Sequence, residues 1–252
     1  MDEKKKDPLS DEVYKPLLLA DKALKLLFYF SAILSVLSLV THENTFPFST
    51  MLQPLFLTTS LVYFCLSLAV RLHFFPRAQI RRYRDFLGHA IGRQADHKQT
   101  TGYYNNKSAI GPNRVAAQVL ESAFFSKEIL SRMLPWERTI VGIYFLLWIL
   151  AVYHRQTDLI WVGVLAQFLF SEEILSHWFR LEWLKWKTDQ IYDGLCAALR
   201  NNAELDLLAW EQLGKYEIVK ASAASSLSKK IFEKYNDALN DEWKSIRKSI
   251  GL

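Results

Sequence analysis

The stretch Thr45–Val70, TFPFSTMLQPLFLTTSLVYFCLSLAV, contains 26 residues and no charged side chain. A helix needs about 20 mostly apolar residues to cross the hydrocarbon core of a bilayer, because that core offers no water to the backbone amides. Thr45–Val70 has this length with several residues to spare. It therefore predicts a membrane-spanning helix.

Three more uncharged apolar stretches follow the same pattern, namely Leu26–Thr41, Thr139–Tyr153 and Leu159–Ser171. The last has only 13 residues, so it reaches spanning length only if the helix continues through Glu172 and Glu173 toward Phe179. With this extension the chain is predicted to form four transmembrane helices, arranged as two hairpins. A buried or re-entrant helix is the alternative for the last stretch.

The charge distribution predicts the orientation of these hairpins. Arg71–Arg138 holds twelve Lys and Arg against five Asp and Glu, whereas the connectors Thr41–Asn44 and His154–Asp158 together hold one Arg. Loops rich in Lys and Arg stay on the cytoplasmic side. The sequence therefore predicts a multi-pass protein with its central loop and both termini in the cytoplasm.

The polar segments are predicted to be helical, and no segment shows the alternation of a strand. The chain is thus predicted to be an all-α membrane protein with cytoplasmic helical extensions. Asp96–Asn113 interrupts the helical pattern with turn-forming residues, and Pro112 suits the start of the next helix. The predicted segments are a cytoplasmic tail (1–22), hairpin 1 (23–71), a basic helical loop (72–137), hairpin 2 (138–179) and a helical tail (180–252).

Glu172 and Glu173 are the candidate pore-lining residues. A carboxylate inside hydrocarbon costs a few kcal/mol unless it faces water or a partner. In a homo-oligomer, a ring of either residue would form a cation-selective mouth. The alternative is that the span ends before them and that both are solvated.

The break between the cytoplasmic helices contains the candidate ligand site. Aromatic rings can stack on bases, amides can bind base edges, and cations can bind phosphates. The residues that offer this chemistry are Tyr103, Tyr104, Asn105, Asn106, Lys107 and Arg114. An ordinary polar turn is the alternative.

Signatures of catalysis are missing from the sequence. It has no glycine-rich phosphate loop, no HExxH and no GxSxG, and its six histidines are scattered. We therefore predict no enzyme, no catalytic residue, no metal site and no cofactor. Cys65 and Cys196 lack a CxxC partner, and both are predicted to be buried packing residues.

The C-terminal region contains the runs Tyr216–Ser222 (YEIVKAS), Ser228–Phe232 and Asn240–Trp243. Together with the two hairpins, the basic loop and the helical tail, they resemble the bacterial four-transmembrane effectors associated with SMODS nucleotidyltransferases. These effectors are related in organisation to the two-span SLATT proteins. The resemblance spans nearly the whole chain.

This resemblance implies a membrane-disrupting or pore-forming effector of antiviral defence in the bacterial inner membrane. It also implies a homo-oligomer that a cyclic oligonucleotide or a signalling protein activates. The net charge of +5 is accounted for by the central loop and favours contact with the lipid bilayer over binding of a nucleic-acid duplex. A channel or transporter for a small solute and a non-conducting scaffold are the alternatives.

Overall fold

The computed structural model describes residues 10–40, 49–93, 100, 109–153, 172–201 and 204–250. Within these ranges the chain is helical and has no strand, which confirms the all-α prediction. The α-helices are α1 (Lys15–Val40), α2 (Ser49–Ala69), α3 (Phe75–Ile91), α4 (Pro112–Tyr153), α5 (His177–Arg200), α6 (Asp206–Ala223) and α7 (Lys229–Ser249). Single π-helical turns occupy Ser10–Tyr14, Val70–Phe74 and Glu172–Ser176.

The chain divides into two compact units. The apolar unit comprises Asp11–Ala78 and Thr139–His177. The polar unit comprises Gln79–Arg138 and Trp178–Leu252, together with Met1–Ser10.

In the apolar unit, α1 packs against α2 and against the π-helical turn Val70–Phe74 that follows α2. The rings of Phe28 and Tyr63 lie 6.3 Å apart. Phe28 precedes the end of α1 by about as many residues as Tyr63 follows the start of α2. The two helices therefore run antiparallel as a hairpin.

Two continuous helical stretches are long and apolar enough to cross a membrane. The first, Met51–Ile91, runs through α2, the π-helical turn and α3, and the second, Pro112–Leu150, lies within α4. Only 11% and 17% of their most apolar windows are buried, whereas the core helix of a soluble protein would be mostly buried. The exposed apolar side chains of the apolar unit include Leu26, Ile33, Leu57, Leu61, Phe64, Ile143, Leu146 and Leu150. Leu159–Ser171 lies outside the described residues, and four spans remain a prediction.

Two threonines follow Pro54 inside α2. Thr58 Oγ1 donates to the carbonyl of Pro54 at 2.7 Å, and Thr59 Oγ1 donates to that of Leu55 at 2.8 Å. Both hydroxyls are thus satisfied within the helix, as an apolar environment requires.

The polar unit has its own hydrophobic core, to which α3, α4, α5, α6 and α7 all contribute. Phe124 of α4 stacks on Trp243 of α7 with ring centroids 5.7 Å apart. The largest fully buried side chains of the polar unit are Trp243, Tyr216, Phe86, Phe124, Leu120, Leu130, Leu134, Leu181, Leu184 and Leu195. This core fixes the positions of the polar side chains that border it.

The junction between α6 and α7 is built from local backbone chemistry. Ala224 ends α6 in the left-handed conformation, with a φ of 44°. Ser228 caps α7 by accepting a hydrogen bond from the backbone N–H of Ile231 at 3.3 Å. The two caps hold α7 where Trp243 reaches the core.

Candidate functional site

A carboxylate lies among the apolar helices. Glu173 stands in the π-helical turn Glu172–Ser176, and its Oε1 accepts a hydrogen bond from Tyr63 Oη of α2 at 2.9 Å. Single π-helical turns occur frequently at functional sites. Glu173 remains half-buried. A carboxylate can accept about four hydrogen bonds, so Glu173 keeps accepting capacity beyond the bond from Tyr63.

The depth of this carboxylate can be measured along the hairpin. Tyr63 precedes Arg71, the first charge after the apolar stretch, by eight residues, or about 12 Å of helix. Phe28, which contacts Tyr63, follows Lys25 of α1 by three residues, or about 4.5 Å. Glu173 therefore lies within the apolar part of the hairpin, toward the end that carries its positive charges. The side chain of Glu172 lies outside the described part of the chain.

The predicted ligand loop is described only at its borders. Tyr103, Tyr104, Asn105, Asn106 and Lys107 lie outside the described residues. Arg114, at the start of α4, donates from Nη1 to the backbone carbonyl of His89 in α3 at 3.3 Å. Arg114 therefore joins α3 to the start of α4.

Thr100 lies just before this loop and is fastened to α3. Its backbone N–H donates to Asp85 Oδ1 at 2.9 Å, and its hydroxyl donates to Asp85 Oδ2 at 2.5 Å. The hydroxyl oxygen also lies 3.0 Å from His89 Nε2. Since the Thr100 proton goes to Asp85, His89 Nε2 is the donor to Thr100. Asp85 and Thr100 are both buried, so they form a fixed base from which the loop extends.

A second polar cluster joins α3 to α6 in the polar unit. Arg82 forms a hydrogen-bonded ion pair with Glu217, and both side chains are largely buried. Arg82 Cζ and Lys220 Nζ lie 5.5 and 5.4 Å from the ring centroid of Tyr216. Burial, followed by the positive charge of Arg82, lowers the pKa of Lys220.

The hydroxyl of Tyr216 is held in place by α4. It donates to the carbonyl of Ser122 at 3.1 Å and lies 2.8 Å from Ser126 Oγ, which donates to it. This cluster was not predicted from the sequence. The only signal was the spacing of Tyr216 and Lys220, four residues apart on a predicted helix.

A third polar contact lies where the apolar stretch of α4 begins. Arg138 donates to both carboxylate oxygens of Glu182 in α5, at 2.6 and 2.9 Å. Trp178 Nε1 donates to the same carboxylate at 2.9 Å. These hydrogen bonds, led by the one from Arg138, lower the pKa of Glu182. Trp136 and Trp186 are exposed, as side chains of an interfacial belt would be.

The two cysteines differ in their surroundings. Cys196 is buried, as predicted, and burial raises the pKa of its thiol. Cys65 is exposed on α2, so the prediction that it is buried was wrong. Its position was misjudged because an apolar stretch in a membrane protein can place a small apolar side chain against lipid as readily as in a core. Within the described ranges no three His, Cys, Asp or Glu side chains could hold a metal ion.

No protein-family model matches the chain, and comparisons with curated proteins and with solved structures found no match. The central element of the candidate site is the carboxylate of Glu173, held by a tyrosine within an apolar hairpin.

Proposed function

We propose that the chain is a multi-pass membrane protein that self-associates and permeabilises the membrane in response to a cytoplasmic signal. The observation that carries this proposal is the hydrogen bond from Tyr63 to Glu173 within the apolar unit. A carboxylate facing lipid would cost up to about 2.5 to 3.5 kcal/mol on insertion scales, the value at the centre of a spanning helix. Self-association around a water-filled path removes that cost.

In this proposal all four apolar stretches span the membrane as two hairpins. Glu173 lines the conducting path and favours cations, because its carboxylate is negatively charged. The loop that contains Tyr103, Tyr104 and Lys107 receives the signal, a cyclic oligonucleotide or a signalling protein. The base of that loop, Asp85 with Thr100, links the receiving segment to α3.

Flux through vesicles tests this proposal. The purified chain, reconstituted at increasing density into vesicles with anionic lipid, is expected to release potassium more readily than chloride. Glu173→Gln should reduce this preference, and Glu173→Lys should reverse it, because the side chain sets the sign of the charge on the path. Glu233→Gln, an exposed carboxylate on α7, is the matched control and should leave flux unchanged.

Two outcomes contradict the proposal. Absence of flux at every protein density, with and without nucleotide, would favour a non-conducting scaffold. Saturable movement of one solute that persists in Glu173→Gln would favour a transporter.

Topology is tested separately by labelling single cysteines in cells that lack the native Cys65 and Cys196. Cysteines at Asn44 and Gln156 are expected to react with an impermeant maleimide from outside. A cysteine at Asn105 should react only after the cells are opened. Labelling of Asn105 in intact cells would contradict the proposed orientation.

A further inference from the structure

Two helices of the polar unit carry outward-facing stripes with the same spacing. The α6 stripe consists of Leu207, Trp210, Gly214 and Ile218, and the α3 stripe of the exposed Ile80, Tyr83 and Ile91 with Leu87, which lies between them half-buried at the edge of the core. Both sets follow the pattern i, i+3, i+7, i+11, which places four residues on one helix face. Each stripe is about 16 Å long.

Apart from the half-buried Leu87 and Gly214, the residues of both stripes are exposed within their own copy. Ile80 is 54% exposed, Leu207 is 80% exposed and Ile218 is 67% exposed. A Cβ added at Gly214 would meet no atom within 4 Å, so the α6 stripe has a notch at this point. Within one copy α3 and α6 are joined through Arg82 and Glu217, yet their stripes do not cover each other.

The charges at the ends of the two stripes are opposite. Arg93 follows the C-terminal end of the α3 stripe, and Glu204 and Asp206 precede the N-terminal end of the α6 stripe. All three side chains are exposed, and none forms an ion pair with another described residue. The stripes are thus complementary in charge as well as in length.

An antiparallel arrangement brings these features together. Ile91 then opposes Leu207, Leu87 opposes Trp210, and Ile80 opposes Ile218. The ring of Tyr83 lies over the notch at Gly214. Arg93 meets the two acids, and the C-terminal end of one helix meets the N-terminal end of the other, which favours the pairing of their dipoles.

We propose that the α3 stripe of one copy binds the α6 stripe of a second copy in this antiparallel register. The inference deepens the self-association in the proposed function and rests on it. A lipid surface fits less well, because the acids bordering the α6 stripe would be repelled by an anionic leaflet. Since every copy carries both stripes, the contact can close a dimer or a ring.

The contact is small, and its occupancy is expected to rise when the copies are confined to one membrane. Two helix faces of this length bury less area than a standard interface, which makes the association of isolated copies weak. Copies held in one bilayer share a raised effective concentration. Association is therefore expected to depend on the density of the chain in the membrane.

Disulfide cross-linking in membranes tests the register. Two differently tagged full-length chains, both with Cys65→Ser and Cys196→Ala, carry either Ile91→Cys or Leu207→Cys. Oxidation is expected to join the two tags, because these positions oppose each other. Ala238→Cys on α7, in place of Leu207→Cys, is the control and should give background yield. A yield for Ile91 with Leu207 no higher than this background would overturn the inference.

Charge exchange tests the partner. Arg93→Glu alone, and Glu204→Lys with Asp206→Lys, are each expected to lower cross-linking by up to about fivefold, since attraction between exposed charges is replaced by repulsion. The triple variant should return to within about twofold of the original yield, because opposite charges again face each other across the contact. Lys230→Glu, an exposed reversal on α7, should change nothing.

The alternatives give different results. If the stripes bind anionic lipid, the two Lys substitutions should increase binding to phosphatidylserine vesicles and the triple variant should show no recovery of cross-linking, which would overturn the inference. Ion flux is measured on the same samples. Cross-linking without flux would refute the proposed pore and leave the contact standing. Flux without specific cross-linking would refute the contact alone.

Discussion

Tyr63 and Glu173 are 110 residues apart in the chain, and a 2.9 Å hydrogen bond joins the phenol of the first to the carboxylate of the second. The bond ties α2 to the π-helical turn Glu172–Ser176 inside the apolar unit. A hydrogen bond to a charged group contributes about 1.5 to 3 kcal/mol, more than most neutral pairs. It is therefore a structural contact as well as the centre of the proposed path.

Removing the phenol should destabilise the apolar hairpin. Tyr63→Phe is expected to lower the free energy of unfolding by about 1.5 to 3 kcal/mol, because Glu173 loses the hydrogen bond from the phenol. Once Glu173→Gln is present, the same change should cost less, so a double-mutant cycle should give a coupling energy of about 1 kcal/mol. Thermal unfolding in detergent measures both, with the exposed Tyr153→Phe as control. Additive effects would show that the bond contributes nothing.

The role proposed for the loop that contains Tyr104 can be tested separately from that of Arg114. Tyr104→Ala should abolish activation and leave folding intact, because a stacking surface is lost without a change to α3 or α4. Arg114→Ala should lose activation and also some stability, since Arg114 holds the carbonyl of His89. Growth arrest on activation measures the first effect and thermal unfolding the second. Normal activation of Tyr104→Ala would show that the loop is an ordinary polar turn and does not bind the signal.

The stability of the polar unit should depend on Glu182 in acid. The pKa of Glu182 lies below its ordinary value of 4.5 because Arg138 and Trp178 donate to its carboxylate. A lowered pKa stabilises the folded state above the ordinary value, and this stabilisation is lost as the pH falls through the folded-state pKa. Glu182→Gln should therefore flatten the loss of stability between about pH 5 and pH 3. Tryptophan fluorescence measures the stability of the polar unit at each pH, with Glu242→Gln as control.

The ion pair of Arg82 with Glu217 should be costly to break and cheap to replace. Arg82→Met leaves the largely buried Glu217 without its partner, and about 3 to 5 kcal/mol of stability should be lost. The double variant Arg82→Met with Glu217→Leu should recover most of that loss, because neither member of the ion pair is then left as a buried charge without its partner. Chemical unfolding measures both variants. Equal losses in the two variants would show that packing, and not charge, determines stability here.

The fold was predictable where it depends on local patterns. Helical periodicity predicted the helices of the polar unit, and α4 begins at Pro112, as its fixed φ favours. The length of α4 was harder to foresee, because Pro135 lies within it without ending it. Periodicity also gave no sign that Cys65 would be exposed, since a span is apolar on every face.

The candidate site was predictable only in part. Glu173 could be singled out because a carboxylate beside an apolar stretch is costly wherever it lies. Its partner Tyr63 could not, because nothing in the sequence relates two helix faces 110 residues apart. Arg82 and Glu217 were hidden for the same reason, among many charged residues that remain at the surface.

The two threonines of α2 make the helix less polar to its surroundings than its composition indicates. Counted by composition, Thr58 and Thr59 add two hydroxyls to the helix, yet each proton is already bound to a carbonyl one turn earlier. When α2 is transferred out of water, neither hydroxyl therefore loses a hydrogen bond that it donates. The free energy of transfer of α2 is thus closer to that of a helix without these two hydroxyls. Tyr63 behaves differently, because its hydroxyl donates to Glu173 in another segment. This hydrogen bond can form only after the segment that contains Glu173 has packed against α2. Insertion of α2 on its own should thus precede, and not require, the docking of the residues around Glu173.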